Sequence, residues 1–407
     1  MNSYCVSKKE LKELVLNKIE LIREVKDDDI FDAIDNVLLM KSKESYISFE
    51  EKEVIKRDIF NSIRRLDILQ ELLDDKQITE IMINGSNKIF IEKEGRIRPW
   101  NKEFESKQKL LDIIQQIVSK SNRIINESSP IVDSRLPCGS RVNIVLPPIA
   151  LEGPIVTIRK FPGNPITIQK LIEIGSISKE VAIFLEKLVI AGYNIFVSGG
   201  TGSGKTTFLN VLSNFIPKDE RVITIEDSAE LQIQNVENLV RLEVRNSNIE
   251  GKNAISIRDL IKSALRMRPD RIIVGEVRDA AAIDMLQAMN SGHDGSLSTG
   301  HANSTVDMLN RLETLVLMGA DIPLMAVRKQ IASAIDIIVH LGRLRDKSRK
   351  VLEVSEVLNC QDGEIEVNKL YVFKETSEDE DGKVLGELQK TNNELINLAK
   401  LSKAGML

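Results

Sequence analysis

The sequence predicts a chain dominated by an α/β domain with a parallel sheet, preceded by an α+β domain and a short helical domain. Three observations predict it. Short apolar runs, NIFVSGG, RVITIED and RIIVGEV, each end on a glycine or polar residue and are separated by helical patterns. Runs of this kind are strands buried on both faces of a parallel sheet. The segment GGTGSGKT, residues 199–206, stands directly between one such run and the helical stretch TTFLNVLSNF. Residues 63–162 instead carry hairpin signals punctuated by Pro and Gly. At 407 residues the chain is also long for a single core.

Each part has its own pattern. Residues 1–62 read as short amphipathic helices. Leu11, Leu14, Val15, Ile19 and Ile22 form one apolar stripe with charges opposite, the pattern of a small docking bundle. Asp27, Asp28 and Asp29 mark a helix start or a solvated turn. In residues 63–162, EIMIN and IFIEK flank the turn GSNK, and a second turn, EGR, leads into IRPW. Ser106 caps a helix with Leu110, Ile113, Ile114, Ile117 and Val118 on its core face. The stretch DSRLPCGSRVNIVLPPIALEGPIVTIRKF reads as strands and turns. Residues 163–177 form a linker with a turn or two of helix, and residues 178–407 form the α/β domain. Late in that domain ETSEDED, residues 375–381, reads as an exposed hairpin tip.

Composition narrows the function classes. Apolar residues make up 42% of the chain and charged residues 29%, a balance that fits a soluble protein with sizeable cores. The net charge of -5 carries no global attraction to nucleic acid or to an anionic membrane. Aromatics are only 4%, which argues against the stacking platforms of a single-strand binder. Cys5, Cys138 and Cys360 lie far apart, so neither a disulfide framework nor a CxxC zinc site is expected. The opening MNSYCVSKKELKELV lacks the apolar stretch of a signal peptide. No apolar run reaches the ~18 residues that span a bilayer. The expectation is a cytoplasmic protein, attached to a membrane only peripherally and through partners.

The strongest chemical signal is GGTGSGKT, which satisfies GxxxxGK[ST]. Its glycines let the backbone curl so that successive N–H groups face an anion. The helix that follows adds its positive end. Gly200, Thr201, Gly202, Ser203, Gly204, Lys205, Thr206 and Thr207 are therefore the expected contacts to ATP. Lys205 would reach the β- and γ-phosphates, and the Thr206 hydroxyl would bind Mg²⁺. A site of this class needs carboxylates at neighbouring strand ends. RVITIEDSAE ends a strand on Glu226 and Asp227, with Glu230 close behind, and RPDRIIVGEVRD ends one on Gly275 and Glu276. Glu226 and Glu276 are the candidates for holding the metal and activating water, in either order.

Arginines surround these motifs. Ser256 caps a helix with Ile257, Leu260, Ile261, Ala264 and Leu265 on its buried stripe. Arg258, Arg266 and Arg268 lie off that stripe, and Arg278 follows the second acidic strand. They are either solvated charges or anion contacts within or between subunits. Arg135, Arg141, Arg159 and Lys160 likewise make either a generic basic patch or a face that completes a nucleotide site.

The stretch SGHDGSLSTGHANS, residues 291–304, holds two of the three histidines. Two histidines are too few for a metal site, and the serines lack the strand–elbow–helix setting of GxSxG. A helix over 279–290 stopped by Gly292, then a returning strand, would carry His301 to the γ-phosphate, with Ser298 and Thr299 beside it. His293 would shape the preceding turn.

Together, GGTGSGKTT, VITIEDSAELQ, LRMRPDRIIVGEVRD and GHDGSLSTGHANS resemble four motifs of the type II/IV secretion and type IV pilus ATPases. These are the family's Walker A, aspartate-box, Walker B and histidine-box motifs. The similarity runs from ITEIMINGSNKIFIEKEGR through NESSPIVDSRLPCGSRVN and TIRKF to EVSEVL. It is greatest to the CpaF/TadA branch, which powers Flp (tight adherence) pilus assembly. The resemblance implies a RecA-like motor domain, a PAS-like domain over 63–162, a helical adaptor ahead of it and a homohexameric ring. It implies that Arg135, Arg141 and Arg159 approach the phosphates and that Arg266, Arg268 and Arg278 line the same region. It also implies inner-membrane platform proteins as partners, at the inner face of the cytoplasmic membrane. No zinc is expected, because the clustered cysteines of the related type II secretion and pilus extension ATPases are missing, and low aromatic content with mild acidity argues against stable nucleic-acid binding. Cys138 stands where an acidic residue is usual. Gly300 stands where a bulky aliphatic is usual, which is expected to loosen the strand holding His301.

On this reading Lys205, Glu276, Glu226 and His301 carry ATP hydrolysis, and closure of arginines onto ATP does mechanical work. The alternatives are a type IV secretion ATPase exporting DNA or protein, a nucleic-acid translocase, and a small-molecule kinase with the same loop.

Overall fold

The computed structural model describes residues 8–19, 25–44, 46–93, 95–120, 123–161, 165–245 and 253–407. Cys5, Ile22, Glu94 of the EGR turn and the start of the expected linker, residues 163–164, lie outside the described residues. The chain divides into two compact units, Met1–Gly163 and Asn164–Leu407.

The first unit opens with α1 (Lys8–Lys18), α2 (Asp27–Lys41) and α3 (Phe49–Arg64). Leu11, Val15, Ile30, Ile34, Val37 and Ile59 form a core of their own, with Phe31 stacked on Phe60 at 4.3 Å. Leu14, expected on the buried stripe, is 39% exposed. At 100° per residue it turns away from the line through Leu11, Val15 and Ile19. Asp27, Asp28 and Asp29 occupy the first turn of α2, where the helix dipole favours them. Ser48 and Glu51 cap α3 reciprocally.

α4 (Leu69–Asp74) then leads into β1 (Ile78–Asn84), β2 (Ile89–Lys93) and β3 (Arg96–Trp100). α5 (Lys107–Ser119), β4 (Ile131–Arg135), β5 (Arg141–Val145) and β6 (Ile155–Arg159) complete the unit. The described strands make an antiparallel sheet in the order β3-β2-β1-β6-β5-β4. Alternation puts Ile81, Ile83, Val142, Ile144, Val156 and Ile158 on one face, in a core shared with Leu110, Ile113, Ile114 and Ile117 of α5. Ser106 accepts from Lys109 N and caps α5 where the sequence places the cap.

The second unit runs α6 (Ile168–Glu173), α7 (Lys179–Ile190), β7 (Ile195–Gly199), α8 (Lys205–Ser213), β8 (Arg221–Glu226) and β9 (Asn238–Glu243). It continues with α9 (Ile257–Ala264), β10 (Arg271–Val274), α10 (Ala281–Met289), β11 (Leu297–His301), α11 (Thr305–Leu317) and α12 (Leu324–Ala334). It ends with β12 (Ile337–Arg343), β13 (Arg349–Gln361), β14 (Glu364–Glu378), β15 (Val384–Lys390) and α13 (Ala399–Lys403). The sheet order is β15-β14-β13-β12-β7-β11-β10-β8-β9. From β12 to β9 all neighbours are parallel. Both faces are covered, as a parallel sheet requires: Ile195 and Val197 join a core with α7 and α8, while Phe196 joins one with α9 to α12.

From β12 to β15 the sheet is an antiparallel meander, which the sequence reading did not anticipate. The ETSEDED segment is exposed and ends in the β14–β15 hairpin turn, as expected. Its first four residues pair within β14, and the turn itself is closed by Gly382 N donating to Asp379 O. Arg345 pairs with Glu375 and Glu378 on the strand that enters this turn.

Candidate active site

β7 runs into the glycine loop, and α8 starts at Lys205. A Cβ at Gly199 would lie 2.4 Å from the Leu341 carbonyl oxygen on β12, so only glycine fits there. Gly202 and Gly204 have φ of +71° and +93°, conformations that side-chain-bearing residues rarely adopt. Gly204 is the N-cap of α8, so the orphan N–H groups of that helix and its positive end open onto the loop. The Ser203 hydroxyl donates to Gly200 O at 2.9 Å and braces the loop. Lys205 is only 7% exposed; its ammonium donates to Gly200 O at 3.0 Å and to Nδ1 of His301 at 3.2 Å.

The strand register explains that contact. β11 lies beside β7 with His301 opposite Gly199, so the last residue of β11 meets the first glycine of the loop. A lysine ammonium has no lone pair, so Nδ1 of His301 accepts and the imidazole proton sits on Nε2. Nε2 lies 3.0 Å from Oε1 of Glu276, just past the end of β10. The other Glu276 oxygen accepts from Arg278 Nη2 at 2.6 Å, and Arg278 Nη1 lies 3.7 Å from Asp227. Burial alone would raise the Glu276 carboxyl, but the Arg278 hydrogen bond and charge, with His301 and Lys205 nearby, hold it below its ordinary value. Burial and then the Lys205 charge lower the His301 pKa, which favours the neutral ring.

Glu226 differs from Glu276 in each respect. It is 3% exposed, and its Oε1 accepts from the backbone N–H groups of Glu230 and Leu231 at 2.8 and 3.0 Å. Burial raises its pKa in spite of those two bonds. Gly275 makes room for it, since a Cβ there would come within 2.9 Å of Glu226 Cγ. Oε2 of Glu226 is buried with no hydrogen-bond partner among the described residues. A buried oxygen without a partner, with the Thr206 hydroxyl and Glu276 as further hard donors, fits the oxygen-only preference of Mg²⁺. Among the described residues no group of three or more His, Cys, Asp or Glu is placed to hold a metal ion.

Arg266 and Arg268 fall in the turn between α9 and the N-terminal end of β10, whereas Glu276 follows its C-terminal end. The length of β10 separates them from the cluster within one chain, because parallel strands present the loop, Glu226 and Glu276 at the opposite sheet edge. Arg258 pairs with the buried Asp284 at 2.7 Å. Arg135, Arg141 and Arg159 belong to the first unit, where register sets them abreast on β4, β5 and β6. Thr299 donates to Gly275 O at 2.7 Å, and both Thr299 and Ser298 are buried.

The expected loosening at Gly300 is not found. A Cβ there would meet Met308 and Phe196 at 2.9 Å, so the strand is packed tightly around the missing side chain. His293 contacts Ala288 O and Ser291 Oγ through Nδ1, closing the end of α10. Two neighbours of the loop were missed from sequence. His340 on β12 lies 3.2 Å from the Ser198 hydroxyl, and Arg349 on β13 donates to Gly202 O at 2.8 Å. A lone histidine in an apolar run and an arginine beside a turn carry no motif signal.

The model of the type II/IV secretion system protein family matches residues 64–385. The conjugal transfer protein TrbB of Rhizobium radiobacter is 34% identical over 302 residues, covering 72% of this chain and 87% of that protein. The type IV secretion system protein VirB11 of Bartonella henselae is 31% identical over 329 residues, covering 72% of this chain and 92% of that protein. The X-ray structure of the Legionella pneumophila ATPase DotB aligns with a TM-score of 0.51 at 21% identity, over 71% of this chain and 79% of that one. That likeness is one of fold, and the α/β unit is RecA-like.

Proposed function

Because the chain belongs to the type II/IV secretion system protein family, we propose that it is an ATP-hydrolysing motor of that family. The observation that carries this is the unbroken line of contacts from the loop lysine through His301 to Glu276. It sets an anion-binding loop beside a carboxylate held in its charged form.

In the proposed mechanism the loop amides and Lys205 bind the phosphates, and the site orients the γ-phosphoryl group for attack. Thr206, Glu226 and Glu276 would hold Mg²⁺, which when bound neutralises charge on the phosphate oxygens. Glu276, kept ionised, accepts a proton from the attacking water. A phosphate drawing on Lys205 competes with Nδ1 of His301, so the imidazole registers whether the γ-position is filled. Glu226 holds the segment to Leu231 through its Oε1. Nucleotide contacts from Arg135, Arg141, Arg159 and Arg278 belong to the same proposal, as does a contribution from Arg266 and Arg268 of another copy.

The finer reading is a homohexamer that powers Flp-type pilus assembly through inner-membrane platform proteins, supported by the motif resemblance over most of the chain. A second reading, DNA or protein export by a type IV secretion machine, is favoured by the conjugal transfer and VirB11 relatives. Among the described residues no helix is long and apolar enough to cross a membrane, so membrane coupling would run through partners. Phosphate release from ATP by purified protein tests the motor reading, with Lys205→Ala as control. Release by the wild-type protein and its loss in the variant are expected; no release by wild type overturns it. Light scattering with a non-hydrolysable ATP analogue tests the ring, with six-subunit mass expected and a monomer contradicting it.

A further inference from the structure

The catalytic line accounts for the inner side of the glycine loop. Its outer side is held by something else. Each peptide plane carries its C=O and N–H on opposite sides, so a loop peptide that turns its N–H inward turns its own carbonyl outward. The peptide following Gly202 is held on both sides. The Ser203 N–H points across the loop toward Gly200 O at 3.4 Å, and the Gly202 carbonyl accepts from Arg349 Nε at 2.8 Å. The Arg349 stem also covers Gly204, where a Cβ would sit 3.5 Å from its Cδ. Both Gly202 and Gly204 have left-handed backbone.

Arg349 is itself anchored. Its carbonyl accepts from the Ser176 hydroxyl at 2.7 Å, and it pairs in register with Arg343 across the β12–β13 hairpin. The turn of that hairpin is tied to the β14–β15 hairpin by Arg345 to Glu375 and Glu378, and by Val384 N donating to Asp346 at 2.9 Å. The antiparallel meander at the sheet edge is thus connected by side chains to the phosphate loop.

We propose that Arg349 is a positioning residue of the phosphate loop, through which the β12–β15 meander holds the Gly202–Ser203 peptide in its anion-binding orientation. The proposal rests on the nucleotide reading above. Arg349 acts through the loop and not on the reacting atoms, so its loss weakens nucleotide capture and leaves turnover of bound ATP largely intact.

The test is equilibrium binding of a fluorescent ADP analogue together with steady-state ATP hydrolysis. The proteins are wild type, Arg349→Met, Arg349→Lys, Arg345→Ala and Lys205→Ala. Arg349→Met is expected to raise Kd and KM by about three- to tenfold, the range of one hydrogen bond, with kcat changed less than about twofold. Arg349→Lys, which keeps a donor, is expected to recover part of the loss. Arg345→Ala is expected to shift Kd in the same direction by less, since it frees the turn and leaves the Gly202 bond in place. Arg349→Met with wild-type Kd and KM overturns the proposal, as does a loss confined to kcat. If wild type and Lys205→Ala bind nucleotide equally poorly, the nucleotide reading itself fails, and this inference falls with it.

Discussion

The ammonium of Lys205 and Nδ1 of His301 lie 3.2 Å apart, and the far side of the same imidazole faces Glu276. One neutral ring therefore joins the loop cation to the carboxylate proposed to take the proton. Replacing His301 with alanine removes an acceptor for a buried ammonium and a neighbour of Glu276. Steady-state phosphate release should show kcat lower by about 10- to 100-fold, the scale of a hydrogen bond to a charged group. An unchanged kcat in a folded His301→Ala protein would remove the histidine from the mechanism.

Glu226 should behave differently. Its Oε1 fixes the backbone of Glu230 and Leu231, an acceptor role that glutamine retains and alanine does not. Glu226→Ala is expected to destabilise the fold by about 1–3 kcal/mol through two unsatisfied backbone donors, with Glu226→Gln close to wild type. Thermal denaturation of both variants checks this. Equal melting temperatures for the two would contradict the bracing role.

Packing at Gly300 gives a prediction of opposite sense to the sequence expectation. Met308 and Phe196 are fully buried and close on the position from two sides. Gly300→Ala should cost about 1–3 kcal/mol by overpacking. A variant of unchanged or raised melting temperature would show that the strand has room.

His340 sets a pH dependence. Burial lowers its pKa below the ordinary histidine value. The unfolded chain therefore takes the proton first as pH falls, and stability rises with pH in that window. The stabilisation is fully present above about pH 6.5, where an unfolded histidine titrates, and is lost as pH falls through the lower folded value. A His340→Gln protein should show a shallower fall of melting temperature below about pH 6.5 than wild type. Parallel curves would contradict it.

Much of this was legible in the sequence because it is local. A glycine loop between a strand and a helix, a serine directly ahead of a helical run, and carboxylates ending apolar runs each depend on neighbours a few positions away. Ser106 and Ser256 cap their helices for that reason. The strand placing His301 beside Gly199 was likewise readable from its turn signals. What was missed depends on pairing across the fold. The β12–β15 meander, the Arg349 contact 147 positions from Gly202, and the ion pairs that use Glu375 and Glu378 arise only when distant strands come together. Which end of β10 carries Arg266 and Arg268 is likewise set by the fold, since closeness in sequence to an acidic strand does not say which end of that strand a turn occupies.

The central claim is that Glu276 is the carboxylate that takes the proton from water during ATP hydrolysis. Glu276→Gln keeps the shape and removes the base, so single-turnover hydrolysis with the variant tests the claim most directly. Nucleotide binding within about threefold of wild type and a hydrolysis rate lower by at least about 100-fold are expected. Hydrolysis by Glu276→Gln at the wild-type rate would contradict it.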